Sequence, residues 1–298
     1  MKVAVGASSF AQSDKSAFNK LIENGIEIIL NPYGRKLTKE EIIEHLKGVD
    51  GLLAGLELLD EEVFKSVCPQ LKAIARIGIG MDNVDLKAAE KFNIKVSNTP
   101  DGPTQAVTEM TVAALMAILR NIIPANKALH DKEWKKEIGT SILGLKVFIV
   151  GYGRIGEAVS KILKLLGAEI SVYDPYKPQV SIESMEEGLK WADVISLHAS
   201  GNEEIISYKE IEQMKDGVII LNSSRGGLIN ENALYEGLKS GKIANCWLDV
   251  YTEEPYKGKL CELENAVLTP HISTYSDKCR KDMEMQAVVN LLKDLNVV

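Results

Sequence analysis

The chain has 298 residues, 45% of them hydrophobic and 26% charged, with a formal net charge of −7. That length suits two domains, and the acidic balance argues against a nucleic-acid or anionic-membrane surface. Four dispersed cysteines without a CxxC argue against a disulfide framework or a metal site. No apolar stretch reaches the ~18 residues of a membrane span, and Met1-Lys2-Val3 opens into a strand rather than a leader, so the expected location is cytoplasmic.

Residues 1–98 alternate strand and helix. Segments 3–6, 26–30, 51–54 and 71–77 read as short buried strands. Between the second and third, Thr38-x-x-Glu41 forms a capping box for a helix that buries Ile42, Ile43 and Leu46. The alternation predicts a parallel sheet. Asn98-Thr99-Pro100-Asp101-Gly102-Pro103 is a breaker cluster and marks a hinge. Beyond it, Val112, Leu115, Met116 and Leu119 share one face of a long helix. Residues 122–145, with Pro124, His130, Trp134 and Gly139, read as an irregular excursion.

Residues 146–150, Lys-Val-Phe-Ile-Val, make an apolar run fit for a buried strand and lead into Gly151-x-Gly153-x-x-Gly156. Val159, Ile162, Leu163 and Leu166 then fall at helical spacing, and Gly167 ends the helix. Segment 170–173 is the next strand, with Asp174 at its carboxyl end. In a dinucleotide site the first glycine allows the tight turn, the second lets backbone reach the pyrophosphate, and the third lets helix pack on strand. The helix N-terminus offers free N–H groups to phosphates. An acid 18 residues beyond Gly156 (174 − 156) accepts ribose hydroxyls and repels a 2′-phosphate, so the expected cofactor is NAD rather than NADP. A glycine-rich turn in another α/β protein, such as a methyltransferase, is the competing reading.

Further strands are expected at 194–197, 217–222, 244–250 and 266–268, and Met285, Val288, Val289 and Leu292 mark a final helix. Two α/β domains follow: 1–98, completed by 273–298, and 99–272. Three stretches in the second domain sit at strand ends. Asn222-Ser-Ser-Arg225-Gly-Gly carries a guanidinium able to bind a carboxylate with two parallel hydrogen bonds, or to serve a structural ion pair. Leu248-Asp249-Val250 runs on to Glu253-Glu254-Pro255. Thr269-Pro270-His271 places a stiffened backbone before an imidazole.

Together with the glycine loop, these stretches resemble the D-isomer-specific 2-hydroxyacid dehydrogenases. The resemblance extends upstream to Arg76-Ile-Gly78-Ile-Gly80-Met-Asp82-Asn83-Val-Asp85 and to the domain crossing at Asn98-Thr99-Pro100. It implies two doubly wound parallel-sheet domains, a Rossmann NAD-binding domain inserted into a flavodoxin-like substrate domain. It also implies hydride transfer between nicotinamide and a D-2-hydroxy acid or its 2-keto acid. His271 is then the general acid/base, Glu254 pairs with and orients it, and Arg225 holds the substrate carboxylate. Arg76, Ile77, Gly78, Ile79 and Gly80 are the further substrate-binding residues, the backbone N–H groups near Ile77 to Gly80 gripping the same carboxylate. Gly151, Gly153, Arg154, Ile155, Gly156, Asp174 and Ser224 bind the cofactor, together with His271. Asp249 holds the nicotinamide carboxamide, with a helix or turn cap as its rival reading.

The chain departs from the family pattern where His198-Ala199-Ser200 replaces a histidine–x–proline on the adenine side. It departs again where Ile272-Ser273-Thr274 replaces glycines beside the catalytic position. Arg76 favours 3-phosphoglycerate as substrate, whereas Ala54-Gly55-Leu56-Glu57-Leu58 offers an acid where phosphate-handling relatives offer arginines. A glyoxylate or hydroxypyruvate reductase is the alternative. The excursion around Trp134 resembles the family's dimerisation arm, so a homodimer is expected. From another class, an NAD(H)-sensing corepressor scaffold shares this fold and much of the triad.

Overall fold

The computed structural model describes residues 1–182 and 184–298, and the chain divides into two units, Met1–Pro103 with Thr274–Val298, and Thr104–Ser273. The division falls later than the proposed hinge, because the breaker cluster is built into the first unit. Thr99 is fully buried there, and its hydroxyl accepts the Gly78 N–H at 2.7 Å.

In the first unit β1 (Lys2–Val5), β2 (Glu27–Ile29), β3 (Gly51–Ala54), β4 (Ala73–Arg76) and β5 (Lys95–Ser97) pair in parallel, in the order β2-β1-β3-β4-β5. This is the flavodoxin-like order, and the winding reverses between β1 and β3, where such sheets open a ligand crevice at their carboxyl ends. Helices α1 (Ser16–Glu23), α2 (Lys39–His45), α3 (Glu61–Val67) and α4 (Leu86–Lys91) connect the strands. The capping box on α2 forms as read, with the Thr38 hydroxyl accepting the Glu41 N–H and Glu41 accepting the Thr38 N–H. Asp60 and Asp85 cap α3 and α4 with one bond each, accepting the Val63 and Ala88 N–H groups.

The second unit begins with α5 (Pro103–Leu119) and α6 (Ile122–His130). The stretch expected to be irregular therefore starts as a helix. Pro124 sits in its first turn, where its missing N–H costs no bond, and Asn121 bends the chain with φ +52°. Six parallel strands follow: β6 (Lys146–Val150), β7 (Glu169–Tyr173), β8 (Val194–Leu197), β9 (Val218–Asn222), β10 (Ile243–Leu248) and β11 (Ala266–Leu268). Their order is β7-β6-β8-β9-β10-β11, a doubly wound sheet that reverses between β6 and β8. Beyond β7 it continues as one bond, from the Ile182 N–H to the Val172 carbonyl.

Alternate residues feed two cores, Phe148 and Ile195 on one face, Val147, Ile149 and Val194 on the other. Helices α7 (Arg154–Leu165), α8 (Met185–Trp191), α9 (Tyr208–Gln213) and α10 (Glu231–Ser240) flank the sheet. On α7 the buried face is Gly156, Val159, Ser160 and Leu163. Ile162 and Leu166, expected inward, are 40% and 42% exposed. Finally α11 (Asp277–Asp294) returns to the first unit and lies against β3, β4 and β5. It buries Met283, Ala287, Val288, Leu291 and Leu292, while Val289 faces outward. Among the described residues no single helix is long and apolar enough to cross a membrane.

Candidate active site

β6 delivers Gly151 at φ +90°, and a side chain there would strike the His198 and Ala199 backbone within 2.6 Å. A Cβ on Gly156 would lie 2.1 Å from the Gly151 carbonyl oxygen, so helix and turn meet only because both lack side chains. Gly153 has open space on the side where a Cβ would stand, and it starts α7 without a side-chain cap. Arg154 and Ile155 form the first turn, the part of a helix whose N–H groups lack intrahelical partners and suit an anion.

At the end of β7, Asp174 accepts the Tyr152 N–H through Oδ2 at 2.8 Å and the Tyr176 N–H through Oδ1 at 2.9 Å. Each carboxylate oxygen keeps a lone pair for a hydroxyl. Lys177 donates to the Tyr152 carbonyl at 2.8 Å and closes the loop. A bare backbone turn, an open helix start and an acid on the next strand fit a dinucleotide. On the opposite side of the turn, His198 donates its backbone N–H to Val150, and its Nε2 lies 2.8 Å from Ser196 Oγ. Burial pushes this imidazole down to about 4, which leaves it neutral at pH 7.

The loop after β9 is tied to its neighbours on both sides. Ser224 donates its hydroxyl to the Leu197 carbonyl at 2.6 Å and its N–H to Asn222 Oδ1 at 3.0 Å. Arg225 follows, with Nη1 donating to the Ser224 carbonyl at 2.7 Å and its own carbonyl accepting from Asn222 Nδ2. A Cβ on Gly226 would lie 1.9 Å from the Tyr251 carbonyl carbon, so the loops after β9 and β10 touch backbone to backbone.

Asp249, 1% exposed, holds the next loop. Oδ1 accepts the Thr269 hydroxyl at 2.6 Å and the Ile272 N–H at 2.8 Å, and Oδ2 accepts the Ser273 N–H at 2.8 Å. Its donors bracket His271, which adopts φ +54°, a conformation few non-glycine residues take unless held there. These bonds reach across 20 to 24 residues of sequence and brace the turn that carries His271. The Tyr251 hydroxyl reaches the Leu248 and Thr269 carbonyls, and burial raises its pKa. Glu254 meets His271 Nδ1 at 2.9 Å, and Nε2 makes no bond with the described residues. The second unit thus gathers Ser224, Arg225, Asp249, Glu254 and His271 along the carboxyl edge of β9, β10 and β11. Thr269, Tyr251 and Gly226 belong with them and escape a reading by residue type alone. Only the position of Gly226, directly after Arg225, hints at a close approach.

In the first unit the stretch after β4 is more committed than the sequence suggested. The Ile77 N–H donates to the Ala54 carbonyl and the Gly78 N–H to Thr99, so neither is available to a carboxylate. The Ile79 and Gly80 N–H groups make no bond with the described residues. Arg76 donates to the Ile77 carbonyl at 3.2 Å and folds over Gly78, where a Cβ would be 1.3 Å from Nη1.

The profile of the family described as "D-isomer specific 2-hydroxyacid dehydrogenase, NAD binding domain" matches residues 112–273, more than half of the chain. The chain is 35% identical over 274 residues to a hydroxypyruvate reductase of Thermotoga maritima, covering 88% of this chain and 90% of that one. It is 40% identical over 261 residues to a D-3-phosphoglycerate dehydrogenase of Methanocaldococcus jannaschii, covering 82% of this chain but only 49% of that longer relative. The crystal structure of the TT0316 protein from Thermus thermophilus superposes with a TM-score of 0.89 at 33% identity, over 99% of this chain and 97% of that one.

Proposed function

Because this chain belongs to the D-isomer-specific 2-hydroxyacid dehydrogenases, a family of NAD-dependent oxidoreductases, we propose that Arg225, Glu254 and His271 carry its hydride-transfer reaction on a small 2-keto acid or D-2-hydroxy acid. The observation that supports this most is the Glu254–His271 pair at 2.9 Å beside the Arg225 loop. Gly151, Gly153, Arg154, Ile155, Gly156, Asp174 and Ser224 would hold NAD(H), which would supply or take the hydride. Arg225 binds the substrate carboxylate with two parallel N–H bonds and polarises the carbonyl. His271, oriented through Nδ1, gives its Nε2 proton to the keto oxygen in reduction and takes it from the hydroxyl in oxidation. Asp249 holds the turn that carries His271 and is assigned the nicotinamide carboxamide as well.

The first unit is the proposed substrate domain. Arg76, Ile77, Gly78, Ile79 and Gly80 are assigned to substrate by the resemblance of their stretch, with the Ile79 and Gly80 N–H groups as its donors. Arg76 supports 3-phosphoglycerate. A hydroxypyruvate or glyoxylate reductase is the second reading, supported by Glu57 and by the near full-length similarity to a hydroxypyruvate reductase. A homodimer is proposed through the arm around Trp134, which is 80% exposed beside the fully exposed Ile138. Cytoplasmic residence is proposed from four free thiols. The test is NADH oxidation with a panel of 2-keto acids. One acid should be reduced, with the rate falling at least ~10²-fold in His271→Ala. Absence of turnover with every acid, beside intact NADH binding, overturns the reading in favour of a nucleotide-sensing scaffold.

A further inference from the structure

Tyr251 lies in the loop after β10 and touches each of the three loops that carry the proposed catalytic groups. Its N–H donates to Glu254 Oε1 at 3.2 Å, within its own loop. Its carbonyl carbon stands 1.9 Å from where a Cβ on Gly226 would be, against the loop that carries Arg225. Its hydroxyl lies 3.1 Å from the Leu248 carbonyl and 3.0 Å from the Thr269 carbonyl, two residues before His271. Leu248 ends β10, and Thr269 directly follows β11, the strand paired with it.

The Tyr251 ring is held in place. It stacks on Tyr256 with centroids 4.4 Å apart and an interplanar angle of 17°, and the stack closes the turn that contains Glu254. The Tyr256 hydroxyl in turn accepts the Leu260 N–H at 3.4 Å. Both rings pack on the core that holds Leu248 and Leu260. Packing of this kind asks only for an aromatic ring, and a phenylalanine would meet it. The hydroxyl has a separate use. Burial, with the Asp249 charge nearby, raises its pKa, so it stays protonated and donating. One O–H shared between two strand ends fixes their separation, and with it the position of the turn that presents His271 to Glu254.

We infer that Tyr251 is a positioning residue for the acid–imidazole pair, its hydroxyl setting the distance between the Glu254 loop and the turn that carries His271. This rests on the role proposed for that pair. Asp249 anchors the backbone after His271, through the Ile272 and Ser273 N–H groups. Tyr251 anchors the backbone before it, at the Thr269 carbonyl. Loss of the hydroxyl leaves the imidazole turn tethered more firmly at one end than at the other. A shift of about 1 Å at a reacting group costs about 10²-fold in rate, and a smaller shift costs less.

The experiment uses Tyr251→Phe, which keeps the stack and loses the hydroxyl, alone and combined with His271→Ala, in the full chain. With a 2-keto acid that the wild type reduces, Tyr251→Phe should lower kcat by ~10-fold and change KM for NADH by less than about twofold. Added to His271→Ala it should cost no more than about twofold further, because the effects of residues acting through one group do not add. Proton NMR reads the pair without turnover. The His271 Nδ1–H signal, assigned by its loss in His271→Ala, should shift in Tyr251→Phe. An unchanged kcat, an unmoved signal, or a tenfold fall that recurs in the His271→Ala background overturns the inference while leaving the reaction class intact. No turnover by the wild type with any keto acid refutes the proposed reaction instead, and the NMR signal then decides alone whether Tyr251 holds the pair.

Discussion

Oε2 of Glu254 lies 2.9 Å from Nδ1 of His271, with Oε1 at 3.2 Å, so the carboxylate faces the ring with both oxygens. Oε1 also accepts the Tyr251 N–H at 3.2 Å, which fixes the acid from its own loop. Glu253, the other acid at this site, is exposed. The ring is thereby held through Nδ1.

Glu254→Gln keeps the shape of that contact and removes its charge. Steady-state kinetics should show kcat lowered by about 10²-fold, with KM for NADH changed by less than about threefold. A proportionate rise in KM for NADH would mean that Glu254 serves the cofactor instead.

Asp249→Ala leaves the Ile272 and Ser273 N–H groups without an acceptor, whereas the Thr269 hydroxyl keeps the Leu248 carbonyl at 3.3 Å. Chemical unfolding should show a loss of about 2–4 kcal/mol, since each orphaned buried donor costs about 1–3 kcal/mol and the turn relaxes in part. The activity of the folded fraction should fall with kcat, because the imidazole is no longer held in its left-handed turn.

Gly226→Ala drives a methyl group into the Tyr251 carbonyl, 1.9 Å away where no side chain can yield. The loops bearing Arg225 and Glu254 must then separate. Loss of at least ~10²-fold in kcat/KM is expected, with a destabilisation of about 1–3 kcal/mol. Gly153→Ala is the informative comparison, because open space receives its methyl group. It should leave stability nearly unchanged and weaken NADH binding.

His198 supplies a pH dependence of stability. Its folded imidazole titrates at about 4 against an ordinary 6.5, so the unfolded chain takes up the proton first as pH falls. Its contribution is fully present above about pH 6.5 and is lost as pH drops toward 4. The integrated loss is about 3 kcal/mol at 1.36 kcal/mol per unit. Unfolding free energies of wild type and His198→Gln, measured between pH 7 and 4, should converge toward the acid end. Parallel curves would show that the ring charges freely in the folded state.

The legible parts of the fold were those where local chemistry and burial agree. The run 146–150, the three glycines and Asp174 sit in one short stretch whose every residue type is constrained, and strand β6 and its turn lie where that stretch put them. β5 escaped notice because only Val96 in Lys95–Ser97 is apolar, too short a signal for any period. Helix α6 was hidden by Pro124, which breaks a helix anywhere but in its first turn. On α7 the apolar residues run wider than the buried face, so spacing alone could not separate Leu163 from Ile162. The pairing of His271 with Glu254 was readable because the order and spacing of the two residues follow a known chemistry. Asp249 was ambiguous, since an acid before a turn serves cap and cofactor equally, and the bonds it makes are long-range.

The first unit closes with a helix drawn from the far end of the chain. A Cβ on Gly51 would meet Leu295 at 2.9 Å and Leu291 at 3.2 Å, so β3 is covered by residues made more than two hundred positions later. During synthesis the inserted unit, contiguous from Thr104 to Ser273, can assemble while the opening strands wait with an apolar flank bare. A nascent chain arrested before residue 277 should therefore expose that flank to chaperones and proteases, and the emergence of α11 is the event that protects it.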